Sequence, residues 1–331
     1  MKIRYLTGPM ALLASVTAHA AVAQDALTVA YFQEWPMPFQ YGKVNGVYDE
    51  KLGLTVNWVA FDSGTAMSAA MAAGDVQIAV SQGVPPFVVA TSAGQDLRVV
   101  DIAASYSDND NCVVASRLEI DKDSVAELAN ARVAVPVGTI AHYGFLQQMA
   151  HFGIDPAGMT LVDMAPAEAA AAFEQGSIDM ACGWGGALNR MKESGNVLLS
   201  GAEKEEIGIL TFDLTTTTGD FAAEQPQLLA DFVATTAEMN AMWTAGDRRD
   251  EMLPVIAQDA GMDPEAAAAV IDGFEFPDIE AQLSQKWLGG GLASYVEGVA
   301  TMFYDLGNIP SVQDSYAEFV DRAPLQAAAV R

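Results

Sequence analysis

Short apolar runs and longer mixed segments alternate along the chain up to about residue 200. The apolar runs are rich in Val and Ile and predict β-strands, whereas the segments between them predict helices. The predicted strands include residues 27–32, 54–61, 76–80, 97–103, 112–116 and 132–136, and the predicted helices include 64–73, 85–92 and 139–152. Such alternation is typical of an α/β fold with a largely parallel sheet covered by helices.

The pattern changes after a strand-like stretch at residues 207–217. From there to the end of the chain the spacing of apolar positions predicts helices, at residues 225–245, 248–260, 264–273 and 283–306. The chain therefore combines an α/β part with a helical C-terminal part.

A helix–Gly–strand unit occurs twice, at residues 71–79 and 173–181. Gly74 and Gly176 each follow a predicted helix, where glycine suits the left-handed residue that ends it. Two similar units predict two lobes of similar build with a cleft between them, although this unit is also common in α/β proteins in general. The runs 112–116 and 212–217 bracket the second unit and are candidate connections. We expect one lobe from residues 24–116 plus 212–331, and a second from 117–211.

The N-terminus has the features of an export signal. Lys2 and Arg4 precede a stretch of apolar or small residues, and Ala21 and Ala23 fit the small-x-small cleavage rule. We expect residues 1–23 to be removed and the remaining chain to be exported to the periplasm. No later segment has the length of uncharged apolar sequence that a membrane-spanning helix needs.

The composition excludes some partners and some chemistry. Asp and Glu number 43 against 16 Lys and Arg, so the net charge of −27 disfavours nucleic acid and anionic membranes. His and Cys residues show no metal-ligand spacing, and no nucleophile elbow, phosphate loop or dinucleotide loop is present. The sequence predicts neither a cofactor nor a metal, and no enzyme activity. Cys112 and Cys182 lie in separate apolar runs, which favours two buried thiols, although an exported protein can also form a disulfide.

Three predicted helix starts carry residues suited to an anion, because free N–H groups and the helix dipole attract negative charge there. The residues are Ser63 with Gly64, Gln82 with Gly83 ahead of two prolines, and Thr139 with His142. The alternative is that Ser63 and Thr139 are ordinary N-caps.

Aromatic and acidic residues add to this candidate site. Trp35 follows the first predicted strand together with Gln33 and Glu34, and Trp184 follows the strand of the second repeat. Either Trp is a candidate ligand wall or a simple packing residue. Asp213 interrupts an apolar, Thr-rich run, where a buried carboxylate needs a partner. That partner is a cationic ligand group or, alternatively, an Arg or a group of backbone N–H donors.

Several segments resemble the taurine-binding periplasmic proteins of ABC importers, within the group that binds sulfonates, nitrate and taurine. The matching segments are residues 61–64, 73–78, 132–136, 152–154, 309–312 and 314–316, together with Thr139, His142 and Tyr143. The resemblance follows the chain in order over nearly its whole length after the signal. It implies a two-lobed Venus-flytrap fold, similar to type II periplasmic binding proteins, that binds an aminosulfonate for a membrane permease and its ATPase.

The resemblance also implies roles for individual residues. Asp213 matches an acidic residue suited to the ligand ammonium, Ser63, Gly64 and Thr139 match helix starts suited to the sulfonate, and Trp184 matches a family Trp. The chain departs from the family at Gly185 and Gly186, at Glu34 and at Gln82, all near the expected site.

We therefore expect a monomeric periplasmic solute-binding protein for taurine or a close aminosulfonate. The alternatives that stay open are another small sulfonate or zwitterion as ligand, a sensor partner that binds the same ligand, or a fold-related biosynthetic enzyme of the thiamin or menaquinone type.

Overall fold

The computed structural model describes residues 26–32, 35–61 and 63–330 of the 331-residue chain. The expected signal peptide, Gln33, Glu34 and Asp62 lie outside the described residues. The strands are β1 Ala26–Tyr31, β2 Thr55–Ala60, β3 Ile78–Gly83, β4 Leu97–Ser105, β5 Asp110–Ala115, β6 Arg132–Val135, β7 Thr160–Asp163, β8 Met180–Trp184, β9 Gly195–Val197 and β10 Phe212–Thr218.

Helices connect and cover these strands. They are α1 Phe39–Val44, α2 Val47–Leu52, α3 Gly64–Ala73, α4 Val84–Ser92, α5 Ile140–His151, α6 Pro166–Glu174, α7 Gly185–Glu193, α8 Gly201–Glu206, α9 Gly219–Glu224, α10 Pro226–Ala245, α11 Arg249–Ala260, α12 Pro264–Ile271, α13 Ile279–Leu283, α14 Gly291–Asp305 and α15 Ala323–Ala328. Within the described part of the chain, no helix combines the length and the hydropathy needed to cross a membrane.

The strands form two sheets with equivalent strand orders. The first sheet has the order β2-β1-β3-β10-β4 and the second has the order β7-β6-β8-β5-β9. In each sheet three neighbouring strands are parallel, and the fourth, β10 or β5, runs antiparallel to both of its neighbours. We call the first sheet with its helices the first lobe, and the second sheet with α5–α8 the second lobe. The repeat in the sequence thus corresponds to two similar α/β units.

The antiparallel strand of each sheet is the strand by which the chain enters that lobe from the other. The chain leaves β4 in the first sheet and enters the second sheet with β5, and it returns to the first sheet with β10. The sequence pattern predicts residues 112–116 in the first lobe. The structure corrects this assignment, because β5 pairs with β8 and β9, so the change of lobe comes between Ser105 and Asp110.

The pairing of β5 with β8 also corrects the expectation of two free thiols. Cys112 and Cys182 are directly opposite each other on these antiparallel strands and form a disulfide bond. The sequence pattern predicts these two runs in different lobes, because it does not reveal that β5 belongs to the second sheet. Neighbouring antiparallel strands bring opposite side chains within bonding distance.

Apolar side chains fill the space between sheets and helices in both lobes. One large cluster joins the first sheet to α1–α4, α10, α11 and α14, and two smaller clusters cover the two faces of the second sheet. Helices α5 and α14 meet across the lobes, where the rings of Tyr143 and Tyr295 lie edge to face with centroids 5.3 Å apart. The lobes therefore share a packed contact beside the cleft.

Most predicted elements are present, with two differences in the C-terminal half. The expected helix over residues 283–306 begins only at Gly291, because residues 284–290, with Gly289 and Gly290 among them, form the connection between α13 and α14. The strand-like run from residue 207 begins only at Phe212, since residues 201–206 form α8. Gly74 and Gly176 have positive φ angles of 82° and 76°, as expected for residues that end helices.

Candidate ligand-binding site

A cleft with a volume of about 890 Å³ lies where the two lobes meet. This size is within the range of small-molecule sites. Residues from both lobes line it: Phe32, Trp35, Ala60, Phe61, Ser63, Gly64, Thr65, Gly83, Pro85, Pro86, Val89, Tyr106, Asp110, Gly138, Thr139, Ile140, Trp184, Asp213 and Phe303. None of these described lining residues is Lys, Arg or His. The charged side chains that line the cleft are carboxylates.

The N-termini of α3 and α5 open onto the cleft from different lobes. The Ser63 hydroxyl accepts a hydrogen bond from the Ala66 N–H at 3.2 Å, and the Thr139 hydroxyl accepts one from the His142 N–H at 3.4 Å. Both residues are therefore N-caps, the alternative considered from the sequence. Capping does not satisfy the first N–H groups of a helix, which have no intrahelical acceptor. Each terminus therefore offers backbone donors and the positive end of a helix dipole.

The Thr139 hydroxyl is already engaged as a donor. It donates to the Pro136 carbonyl at 2.7 Å, which fixes the turn before α5. An anion at this helix start would therefore meet backbone N–H groups first, and the hydroxyl only after a change of rotamer. Packing also favours glycine at position 64, because a Cβ built there would lie 2.5 Å from the Pro86 ring.

The third helix start, at α4, is less suited to an anion than the sequence indicated. Pro85 and Pro86 occupy its first turn and carry no N–H. Gly83 pairs with Asp213 across β3 and β10, and the position of a Cβ on Gly83 lies 3.8 Å from the Asp213 carboxylate. The N-terminal end of α4 therefore faces the Asp213 carboxylate.

Two of the residues that the sequence suggested do not line the cleft. The Gln82 side chain is buried, and its amide nitrogen donates to the Gly64 carbonyl at 3.2 Å and to Ser68 at 2.8 Å. Its amide oxygen accepts from the Thr216 hydroxyl at 2.8 Å, so the amide holds the start of α3 against the first sheet.

His142 is the second of these residues. It is 3% exposed, and its Nδ1 accepts a hydrogen bond from the Gly138 N–H at 3.3 Å. Burial lowers the pKa of His142, and the Asp163 carboxylate opposes this shift. A neutral imidazole in this position stabilises the loop that precedes α5.

Asp213 lies in the cleft and is almost fully buried. Its two carboxylate oxygens accept hydrogen bonds of 2.8 Å from the hydroxyls of Ser81 and Tyr106. Burial raises the pKa of Asp213 from 3.8 to about 6, although the hydrogen bonds from Ser81 and Tyr106 oppose the shift. The indole N–H of Trp35 is buried and has no hydrogen-bond partner among the described residues. No cationic side chain compensates the Asp213 charge among these contacts.

Ser81 holds an uncommon backbone conformation beside this carboxylate. Its φ angle is +64°, a left-handed value that costs free energy in a residue other than glycine. This conformation directs the hydroxyl to Asp213. Ser81 directly precedes the candidate residues Gln82 and Gly83, but its strained backbone conformation leaves no mark in composition or periodicity.

Aromatic rings form much of the remaining wall. Trp35 of the first lobe packs against Tyr106 and Phe274, with ring centroids 5.6 Å and 4.8 Å away. Trp184, the last residue of β8 in the second lobe, lines the other side together with Phe303 of α14. The cleft thus has the apolar body and few polar groups that are typical of small-molecule sites.

The sequence pattern does not predict Tyr106, on the connection from β4 to β5, or Asp110, where β5 begins, as site residues. Asp110 is the first residue of β5 and is 5% exposed. The available signal was the polar run from Ser107 to Asn111 directly before an apolar strand. Among the described residues, no group of His, Cys, Asp and Glu could hold a metal ion.

Comparison with known proteins supports the resemblance found in the sequence. The family described as NMT1/THI5 like matches residues 37–242. The taurine-binding periplasmic protein of Escherichia coli strain K12 is 26% identical over 313 residues, covering 93% of this chain and 96% of that protein. The crystal structure of the periplasmic aliphatic sulphonate binding protein from Escherichia coli matches with a TM-score of 0.73 at 21% identity, covering 88% of this chain and 91% of that one. The two-lobed periplasmic binding protein fold is thereby confirmed.

The same fold also occurs in an enzyme. The crystal structure of a desulfurization enzyme matches with a TM-score of 0.61 at 14% identity, covering 93% of this chain and 99% of that one. The fold alone therefore does not separate binding from catalysis, and the residues of the cleft must decide.

Proposed function

Since the chain belongs to the NMT1/THI5-like family, we propose that it is a periplasmic solute-binding protein for taurine or a closely related aminosulfonate. The ligand would pass to a membrane permease with its ATPase in an ABC importer. Support comes from the taurine-binding periplasmic protein of Escherichia coli, which is similar over 93% of this chain. The protein performs no chemistry on its ligand in this proposal.

The observation that carries the proposal is the combination of charges in one cleft. Helices α3 and α5 direct their N-termini to it without a Lys or Arg among the described lining residues, while Asp213 supplies a buried negative charge. A ligand with an anionic and a cationic end satisfies both features. Taurine has a sulfonate for the helix N-termini and an ammonium for Asp213.

Closure of the lobes would complete the site. Ser63 and Gly64 belong to the first lobe and Thr139 to the second, so a sulfonate bound between them links the lobes. Hinge motion about the two connections is a common mechanism in such two-lobed proteins. We propose the same lobes as the sequence analysis, except that β5 belongs to the second lobe. A monomer exported to the periplasm, with residues 1–23 removed, completes this proposal.

Binding without turnover is the property that separates this proposal from an enzyme. Purified protein is screened by thermal shift and titration calorimetry against taurine, hypotaurine, isethionate, ethanesulfonate, nitrate and simple amines. A ligand that binds only the folded state raises the melting temperature. We expect taurine or a close aminosulfonate to give the largest rise, and mass spectrometry to recover it unchanged.

Two results would contradict the proposal. Consumption of the bound compound would favour an enzyme, as in the desulfurization enzyme that shares the fold. Stronger binding of sulfonates without an amine would favour the second candidate, an alkanesulfonate-binding protein. That candidate is supported by the structural similarity to the aliphatic sulphonate binding protein of Escherichia coli.

A further inference from the structure

A second carboxylate, that of Asp110, lies in the same cleft, and no hydrogen-bond donor of the described residues reaches it. The residue is 5% exposed and lines the cleft. It begins β5 directly opposite Trp184, another lining residue, so its place is fixed by the strand pairing. Its backbone carbonyl accepts a hydrogen bond from the buried Lys204 ammonium. In the described part of the chain the carboxylate itself accepts no hydrogen bond, and the charge that favours its ionised form is that of the Lys204 ammonium.

The surroundings make an ionised Asp110 costly while the cleft holds no cation. Burial raises the pKa of Asp110 from 3.8 to about 7, the Lys204 ammonium opposes this shift, and the Asp213 charge adds to it. Tyr106 also faces both carboxylates, and its own pKa is raised by burial and by their charges. A buried carboxylate without a hydrogen bond is unfavourable unless a cation or donor approaches it. The accessible direction is the cleft.

The two carboxylates differ in their hydrogen bonds. Both oxygens of Asp213 already accept from hydroxyls, whereas both oxygens of Asp110 are available. A primary ammonium carries three N–H donors and a full positive charge. Asp213 alone, with its acceptors partly used, leaves donors of such a group unsatisfied, and a second carboxylate nearby would receive them.

We propose that Asp110 is a second binding residue for the ammonium group of the ligand and makes the site selective for primary aminosulfonates. This inference rests on the proposed function, since it assumes a sulfonate at the helix N-termini. Two carboxylates would then face one ammonium, which relieves their mutual repulsion. A ligand with a hydroxyl in place of the primary ammonium offers one donor and no charge, and a ligand with a quaternary ammonium offers no N–H.

The test compares ligands that share the sulfonate and the two-carbon chain but differ at the other end. Taurine, isethionate, ethanesulfonate and N,N,N-trimethyltaurine are titrated by calorimetry into the parent protein and into Asp110→Asn. We expect Asp110→Asn to weaken taurine about 10- to 100-fold, as for lost hydrogen bonds to a charged group. Binding of isethionate and ethanesulfonate should change by less than about 3-fold, so the preference for taurine shrinks.

Asp101→Asn is a matched control. Asp101 is also a buried carboxylate whose pKa is raised by burial, but it lies outside the cleft and accepts from Thr215 and Gln282. The Asp101→Asn substitution should leave the ratio of taurine to isethionate affinity unchanged. Circular dichroism and melting curves confirm that each variant is folded. We expect Asp110→Asn to fold well, because it removes a buried charge and keeps the shape.

Proton release gives a second readout that a purely structural role would not move. Calorimetry in buffers of different ionisation enthalpy at pH 7 counts the protons released on binding. The parent should release a fraction of a proton from Asp110 as taurine binds, and Asp110→Asn should release less.

The outcomes separate the two proposals. If the parent prefers taurine and Asp110→Asn keeps both the preference and the proton release, the role of Asp110 is refuted while the proposed function stands. Equal binding of taurine and N,N,N-trimethyltaurine by the parent also overturns it, because N–H donors would then be irrelevant. If the parent binds none of the sulfonates, the proposed function fails and this inference fails with it.

Discussion

Replacing Asp213 by Asn should raise the stability of the ligand-free protein and weaken taurine binding at the same time. Asn keeps the shape and removes the charge, and its amide oxygen can still accept from one of the Ser81 and Tyr106 hydroxyls, while its NH2 group donates to the other after that hydroxyl rotates. In the folded protein the pKa of Asp213 is raised to about 6 from 3.8. Each factor of ten in an equilibrium constant corresponds to about 1.4 kcal/mol, so the ionised carboxylate lowers the free energy of unfolding by about 3 kcal/mol above pH 7.

The sign of this effect depends on pH. Below about pH 4 the Asp213 carboxyl is protonated in both the folded and the unfolded protein, so it does not lower the free energy of unfolding there. The penalty grows as the pH rises from 3.8 to about 6 and is constant above that. Asp213→Asn should therefore raise the melting temperature of the ligand-free protein by about 5 °C at pH 7.5 and change it little at pH 4.

Binding should respond in the opposite direction. Losing one charge of a desolvated ion pair costs about 2–5 kcal/mol, so taurine affinity should fall by at least about 30-fold at pH 7.5. Differential scanning fluorimetry at the two pH values measures the first effect, and titration calorimetry the second, with Asp101→Asn as the buried control. Taurine affinity equal to that of the parent would disprove the ammonium assignment. A lower melting temperature at pH 7.5 would show that the hydrogen bonds of the ionised form outweigh its burial.

Three further changes test other parts of the site. Trp184→Ala should weaken taurine binding and reduce the ligand-induced change in tryptophan fluorescence. In the parent, the three-carbon homologue should bind less tightly than taurine, because it holds the lobes apart. Equal affinities for the two ligands, with no fluorescence change for either, would contradict this. Replacing both Cys112 and Cys182 by Ser opens a loop of 70 residues and should cost about 4 kcal/mol in guanidinium unfolding, and a reductant should shift the parent curve but not that of the variant. Gln82→Leu leaves the Thr216 hydroxyl and the Gly64 carbonyl without their partner, so urea unfolding should show a loss of about 1–3 kcal/mol; an unchanged midpoint would show that Gln82 is not needed to hold α3.

The sequence was sufficient for features that depend on local pattern. The repeated helix–Gly–strand unit predicted two similar lobes because both periodicity and glycine at helix ends are local signals. Asp213 could be found because a charge inside an apolar strand is unusual wherever the strand lies. Ser63 and Thr139 could be found because N-caps have a characteristic residue type directly before a helix.

Features that depend on pairing between distant segments were not predictable in this way. The assignment of β5 to the second sheet requires its antiparallel register with β8, which no local pattern encodes. The disulfide between Cys112 and Cys182 and the place of Asp110 in the cleft both follow from that register. Gln82 was misread for a related reason, since its partners Ser68 and Thr216 lie 14 and 134 residues away along the chain.

The chain passes from the first lobe to the second and back, and this path affects the order in which the two lobes can assemble. All strands of the second sheet lie between residues 110 and 197, so that sheet can form as soon as this stretch has been synthesised. The first sheet begins earlier but lacks β10, which lies between β3 and β4, until residue 218 has followed. An N-terminal fragment that ends before residue 212 therefore contains β3 and β4 without the strand that pairs with both, and the lobe that starts first is completed last.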